Sequence, residues 1–375
     1  RETDTVARLG GDQFLVQVEA VAGEQALAAM ARNVLRAADA PLRVAGRDVV
    51  ASLSIGVALA GEYADDVDGL LKCADAAMRA AKLAGGSRHR AYEPQMEADH
   101  RQRLDLDLRL RRALERGEFF LVYQPIVDAE GHGIVAVEAL LRWADPERGV
   151  ISPADFIPLL EQSGLIVPVG RWTMHEACRR GRAWIDKGAE DLVMSVNVSP
   201  RQFAEPDFVQ TVAAVLAETG LPRGHLQLEV TEGLLLEPTP QTLHKIDALV
   251  AAGVRLAVDD FGMGYSSLAY LKRFPLHALK IDRMFVRDLP EQRQDAAIVR
   301  AIVDLGHGLG LHVTAEGVED ADQFHELRRL GCDSMQGYLF ARPVAASEVA
   351  GVLAQPGRFG AAPSEAAQLT VMQNS

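Results

Sequence analysis

Acidic side chains, an asparagine, a lysine and a glutamine recur at the carboxyl ends of apolar runs in this sequence. They are Glu138 in IVAVEALL, Asn197 in MSVNVS, Glu229 and Glu232 in LQLEVTE, Asp259 and Asp260 in LAVDDFG, Lys280 in LHALKID, Glu316 in HVTAEGVE and Gln336 in MQGY. A polar group inside such a run carries a desolvation cost that something must offset. Singly, each has a structural explanation, Glu138 as a capping or salt-bridged carboxylate among them. Together, carboxylates crowded into a low-dielectric pocket repel one another unless cations neutralise them. Oxygen donors without His or Cys are the ligand set of hard divalent ions, Mg2+ or Mn2+. The neighbours Asp259 and Asp260 are placed to serve two ions at once. A metal pair is the clamp used for in-line displacement at phosphorus, so the expected reaction class is phosphodiester hydrolysis.

Two basic residues fit that chemistry. Lys280 is placed to hold the attacking water or help deprotonate it; alternatively it forms a salt bridge to Asp282 or a neighbouring carboxylate. Arg142, just past Glu138, offers the planar fork that suits a phosphate oxygen. Between Asp260 and Leu268 the stretch FGMGYSS, with its glycines and small polar residues, describes either a mobile lid or interface switch, or an ordinary turn.

The elements that must bring these residues together follow from the apolar rhythm. Beyond Phe119, eight candidate strands (FFLVYQPIV, IVAVEALL, LVMSVNV, LQLEVT, VRLAVDD, HALKID, HVTAEG and CDSMQG) alternate with helical stretches such as 171–187, 206–219, 240–252 and 295–308. Strand then helix, repeated, predicts an α/β fold, a parallel (β/α)8, TIM-like barrel whose carboxyl-terminal mouth collects the residues above. Residues 1–94 read as a small α+β piece, with short alternating runs at 14–18 and 49–60 and helical runs at 23–38 and 66–84. Residues 95–117, dense in charge with an apolar stripe of Leu104, Leu108 and Leu110, read as a linker helix or a surface helix of the second domain, which are compatible. The barrel is expected over 118–354, with a disordered tail at 355–375.

Composition bounds the rest. With 375 residues the chain suggests roughly two or three domains. Its apolar fraction of 48% and charged fraction of 24% are those of a globular protein with a sizeable core. The formal charge of −13 opposes binding of polymeric nucleic acid, although bound dications reverse the sign locally at the acidic mouth. No apolar run is long enough to span a membrane, no signal peptide is evident, and Cys73, Cys178 and Cys332 are too scattered for a disulfide framework or a CxxC site. Reduced cysteines, a cytoplasmic location and no membrane contact are expected. The opening at Arg1 reads as a cut from something longer, leaving an upstream sensor or membrane segment open.

The motifs EALLRW (138–143), NVSP (197–200), EVTE (229–232), DDFG (259–262), LKID (279–282), AEGVE (315–319) and QGY (336–338) resemble those of an EAL domain from about Phe119 to Pro343. That family hydrolyses cyclic di-GMP. The resemblance implies Glu138, Asn197, Glu229, Asp259 and Asp260 as ligands of two divalent ions, with Glu138 and Asp259 central to catalysis. It further implies Lys280 as the residue orienting the nucleophilic water and Glu316 as contributing to metal binding or base chemistry. Gln124, Arg142, Glu319 and Gln336 belong by resemblance to the substrate pocket or its support, and Glu232 steadies the loop after Asp260. A homodimer through the barrel is also implied. One position departs, because Met263 replaces the threonine of the usual DFGTG. GGDQF (10–14), SIGVAL (54–59) and the helix around Ala74 resemble the second half of a GGDEF, or diguanylate cyclase, domain. There Gln13 replaces the acidic residue and the first half is missing, so cyclase activity is not expected. Arg1 and Asp4 resemble the RxxD element that binds cyclic di-GMP as an inhibitor. The competing readings are a catalytically silent cyclic di-GMP receptor and a phosphodiesterase for another nucleotide.

Overall fold

The computed structural model describes the chain from Asp4 to Leu353, apart from residues 39, 41, 45, 46, 50, 51, 65, 131, 132, 236–238 and 263–270. The expected tail, Arg1 and Met263 therefore lie outside the described residues. The chain divides into two compact units, Arg1–Leu108 and Arg109–Ser375, with the division falling inside the helix Gln95–Ala113.

In the first unit Thr5–Gly10 and Gln13–Gln17 form an antiparallel pair, and Ser54–Val57 pairs in parallel with Arg88–Ala91. The helix Val67–Leu83 connects the parallel pair, as a parallel return requires. Asp66 starts that helix by accepting from Gly69 N at 2.6 Å. Its alanine-rich face, Ala76, Ala77 and Ala81, is buried. The packing is close enough that a Cβ on Gly56 would lie 1.9 Å from Ala74 O. Among the described residues no helix is long and apolar enough to cross a membrane.

The second unit is a closed eight-stranded barrel. Its strands are β1 (Phe119–Asp128), β2 (Ile134–Asp145), β3 (Val193–Val198), β4 (Leu226–Thr231), β5 (Arg255–Phe261), β6 (Ala278–Ile281), β7 (His312–Ala315) and β8 (Ser334–Met335). They hydrogen-bond in the order β1-β8-β7-β6-β5-β4-β3-β2, and β2 returns to β1. β2 to β8 are parallel to their barrel neighbours, but β1 is antiparallel to both β2 and β8, which corrects the expectation of an all-parallel sheet. The cause is the connection 129–133, far shorter than the dozen or more residues of a parallel crossover.

The strands alternate with period two. Met194, Val196, Leu228, Val230, Val258, Leu279 and Val313 join the apolar core shared with the helices, while Ser195, Gln227, Glu229, Lys280, Thr314 and Ser334 are buried on the opposite face, inside the barrel. Helix starts are legible locally. Proline follows the cap residues Ser199 and Thr239, whose hydroxyls accept from Gln202 N and Thr242 N. Asp320 and Gln323 form a capping box on Ala321–Leu330. The helix Pro153–Ser163 was not anticipated. All of Cys73, Cys178 and Cys332 are free and buried, and burial pushes the thiols of Cys178 and Cys332 up to about 12.

Gly337, directly after Gln336, is fixed by a backbone approach: a Cβ there would lie 2.0 Å from Val318 O and 2.3 Å from Val318 N. Backbone cannot swing aside as a flexible side chain can. Gly337→Ala is expected to cost ~3 kcal/mol or more in denaturant unfolding, at the upper end of overpacking effects; an unchanged midpoint would refute this contact.

Candidate active site

The acidic residues converge at the carboxyl-terminal mouth of the barrel, where strand register lines them up. Gln124 of β1 sits opposite Glu138 of β2, Asn197 of β3 beside Glu229 of β4, and Thr231 of β4 beside Asp259 of β5. Lys280 of β6 lies at the centre, 1% exposed. Its Nζ donates to Glu229 Oε2 at 2.8 Å, contacts Glu316 Oε1, and lies 3.5 Å from both Glu138 Oε2 and Asp259 Oδ1. Of the alternative salt-bridge partners the neighbouring carboxylates are the ones observed, and Asp282 is not among these contacts; it caps the next turn, accepting from Met284 N at 2.7 Å.

Glu138 is held from both sides. Asn197 Nδ2 donates to its Oε1 at 2.6 Å and Gln336 Nε2 to its Oε2 at 2.6 Å. Ser195 Oγ donates to Glu229 Oε1 at 2.5 Å and receives from Gln227 Nε2 at 3.1 Å. The sequence reading passed over Ser195 and Gln227, although each stands two residues before a site residue on the same strand and hence on the same face.

Asp259 and Asp260 would point to opposite faces of a regular strand. The register of β5 against β6 slips between Val258 and Phe261, and Asp260 adopts φ of 53°. A left-handed non-glycine residue is strained backbone of the kind that collects at functional sites. The result is that Asp259, Asp260 and Glu316 each bring a carboxylate oxygen within 4.8 Å of the others'. At this corner Glu232 Oε2 accepts from Gly262 N at 3.1 Å.

The charge balance is unfavourable to the carboxylates. Burial opposes ionisation of Glu138, but Lys280 and the amide donors of Gln336 and Asn197 outweigh it and hold its pKa below the usual range. Glu229 is pushed well above its ordinary value by burial and then by Glu138. Glu316 rises to about 8 through burial, offset in part by Lys280 and reinforced by Asp259 and Glu138. Asp260 rises to about 6 through partial burial, then Asp259 and Asp282. Burial disfavours the Lys280 ammonium, yet the surrounding carboxylates raise its pKa well above the ordinary lysine value. Lys280 is thus a fixed cation and a donor.

One lysine against so many acids leaves negative charge in excess. Asp259 Oδ1 is buried and accepts no hydrogen bond. An orphaned carboxylate oxygen beside Asp260 and Glu316, in an all-oxygen donor set, fits a hard divalent cation. Because Glu316 and Asp260 must lose protons to bind one, Mn2+ uptake near pH 7 is expected to release about one proton and to strengthen between about pH 6 and pH 8. Titration calorimetry in buffers of different ionisation enthalpy reads this directly; absence of proton release would place the metal elsewhere. The same raised pKa means that the Glu316 contribution to metal-free stability is complete below the unfolded-glutamate pKa and is lost as pH rises through about 8.

The remaining expected residues are placed less centrally. Arg142 is half-buried, donates to Leu141 O at 2.8 Å, and lies close enough to Glu138 and Tyr338 to feel their charge. Glu319 is exposed; its backbone N–H donates to Gln323 Oε1 at 2.7 Å, and among the described residues no hydrogen bond links its carboxylate to the central network. Asp4 is described, in the first unit, whereas Arg1 is not. The sequence reading also gave no role to Tyr338 and Arg342, whose guanidinium lies 4.4 Å from the ring centroid.

Fold and site together define a barrel enzyme scaffold with an acidic, oxygen-only mouth organised around a buried lysine. The chain belongs to the EAL domain family, which matches residues 107–343, and the diguanylate cyclase GGDEF domain family matches residues 1–88. The chain is 44% identical over 349 residues to the bifunctional diguanylate cyclase/cyclic di-GMP phosphodiesterase MucR of Pseudomonas aeruginosa, covering 93% of this chain and 51% of that protein. It is 40% identical over 341 residues to the cyclic di-GMP phosphodiesterase PdeR of Escherichia coli, covering 91% and 51%. The solved c-di-GMP complex of the PaMucR phosphodiesterase is 47% identical, with a TM-score of 0.64, over 65% of this chain and 99% of that one. The chain spans about half the length of these curated relatives.

Proposed function

We propose that this chain hydrolyses cyclic di-GMP to linear pGpG, water attacking one phosphorus while its bond to the 3′ oxygen breaks and the phosphate stays on the 5′ oxygen. The observation that carries the reading is the intact set of oxygen donors around Lys280, with Asp259 Oδ1 left without a hydrogen-bond partner. Glu138, Asn197, Glu229, Asp259, Asp260 and Glu316 would hold two divalent ions, Mg2+ or Mn2+. Such ions, when bound, supply water activation and charge neutralisation at the leaving oxygen.

The chain's own residues do the rest. Lys280, a donor held among carboxylates, orients the attacking water and favours negative charge developing nearby. Glu316, whose carboxyl sits near neutrality in the metal-free chain, is the side chain suited to accept the water's proton. Arg142 offers its fork to a phosphate oxygen, and the Tyr338–Arg342 stack offers a flat face to a guanine. Glu232 holds the Asp259–Asp260 corner in its strained form. Homodimerisation through the barrel and a cytoplasmic setting complete the proposal. The receptor reading began from Met263, which lies outside the described residues, and from the degenerate GGDQF of the first unit; no described residue of the barrel site favours it.

The test is incubation of the chain with cyclic di-GMP and Mg2+ or Mn2+, following pGpG by chromatography, with Asp259→Asn as the control. Metal-dependent pGpG, absent from the control, is expected. Cyclic di-GMP binding without product would overturn the enzyme in favour of the receptor, and turnover of another cyclic nucleotide in preference would overturn the substrate.

A further inference from the structure

Gln124 stands on β1 opposite Glu138 of β2. It was expected at the substrate pocket or its support. In the structure it is 8% exposed, and its amide is turned to protein on both sides. Its Nε2 donates to the backbone carbonyl of Ala341 at 3.1 Å, and its Oε1 accepts from Gln336 Nε2 at 3.1 Å. The same Gln336 nitrogen donates its other hydrogen to Glu138 Oε2 at 2.6 Å.

The direction of this chain is fixed from its far end. A backbone carbonyl can only accept, so Ala341 O forces the nitrogen of the Gln124 amide to face it and the oxygen to face Gln336. That oxygen in turn forces Gln336 to present its nitrogen. The terminal torsion of a glutamine is broad and nearly two-fold, so it does not hold the Gln336 amide by itself, and the acceptors on both sides, Gln124 Oε1 and Glu138 Oε2, select the nitrogen. Turned over, the amide would set Oε1 against the Glu138 carboxylate, acceptor against acceptor. In the observed orientation Gln336 Oε1 is buried without a partner, a cost borne only because the reverse arrangement is worse.

We infer that Gln124 is a positioning residue for Glu138: it relays the polarity of the Ala341 carbonyl through Gln336 to the carboxylate and does not itself touch substrate. The relay joins the segment after β8 to β1 and β2, so a carboxylate placed for metal is oriented by a backbone carbonyl three hydrogen bonds away. Partners behind a metal ligand set its orientation, and their loss costs 10–100-fold in metal affinity or activity.

This inference rests on the functional reading above, and its test separates the two. Gln124→Met, Gln336→Leu and the double variant are compared by Mn2+ affinity in equilibrium dialysis and by kcat and KM for cyclic di-GMP. Expected for Gln124→Met are Mn2+ binding weaker by about tenfold, kcat lower by about ten- to a hundredfold and KM within about twofold. The double variant should be no worse than Gln336→Leu alone, because Gln124 acts through Gln336. Gln124→Glu keeps an acceptor toward Gln336 but sets a carboxylate oxygen against Ala341 O, so it should lose kcat as Gln124→Met does, and urea unfolding of both variants separates this loss from a folding defect. Raised KM with kcat and Mn2+ affinity intact would make Gln124 a substrate contact and overturn the relay, as would additive losses in the double variant. A wild-type chain that binds Mn2+ but opens no cyclic di-GMP would refute the functional reading alone, since the Mn2+ affinities still decide the relay.

Discussion

Lys280→Met is expected to lower the stability of the metal-free chain by ~3–5 kcal/mol and to remove turnover, two losses with one origin. Removing one partner of a buried ionic group leaves the others uncompensated, and that penalty has this size. Here the abandoned partners are Glu229, Glu316, Glu138 and Asp259, all within ion-pair reach of Nζ. Glu229 is already the most hostile environment for a charge, 1% exposed and pushed up by burial and by Glu138. Urea unfolding in the presence of a chelator reads the stability loss, and Mn2+ should restore part of it by supplying positive charge. Activity should fall ~10²–10⁴-fold, the range for a group that positions or moves a proton. Unchanged unfolding in chelator would mean that the acids are neutral without the lysine, and the electrostatic account of the mouth would fail.

Asp259→Asn should act with opposite sign on stability. Its charge adds to the raised pKa of Glu229, Asp260 and Glu316, and its Oδ1 is buried without a hydrogen-bond partner. Neutralising it relieves that repulsion at the cost of one 3.5 Å approach to Lys280. Metal-free stability is therefore expected to hold or to rise by ~1 kcal/mol, while pGpG production falls by ~10³-fold or more because several kcal/mol of charge stabilisation depend on the site it serves. A stabilised but inactive variant is the signature of a site built against folding stability. Large destabilisation of Asp259→Asn in chelator would show instead that Asp259 is a structural partner of Lys280.

How much of this was legible in the sequence depends on whether a residue's role is set by its own strand or by a neighbour. Glu138, Glu229, Asp259 and Lys280 could be placed because each ends an apolar run, and a barrel gathers strand ends. The antiparallel β1 was within reach, since five residues between FFLVYQPIVD and IVAVEALL forbid a crossover, but strand character alone does not carry direction. Gln124 was assigned to the pocket or its support by resemblance, which gives a neighbourhood and not a partner; only the fold reveals that Ala341 O, more than 200 residues away in sequence, uses its donor. The twist at Asp260 was equally invisible: aspartate enters the left-handed region more readily than most residues, but that tolerance does not tell which aspartate does so. Ser195 was legible in principle, two residues before Asn197, but a small hydroxyl inside a strand raises no alarm until its carboxylate partner is known.

The reversed first strand has a topographic consequence. In a barrel of uniformly parallel strands the polypeptide enters at the floor, a full strand length from the chemistry. Here Phe119 and Phe120 pair with Trp143 and Arg142, beyond Glu138, so the chain makes its entrance at the rim. The approach is moored there as well: Arg109, near the end of the helix Gln95–Ala113, bonds to Asp145 at 3.3 Å and to Glu147 at 2.6 Å, at the outlet of the strand that bears Glu138 and Arg142. The end of that helix is thus fastened at the doorway of the pocket rather than at its floor.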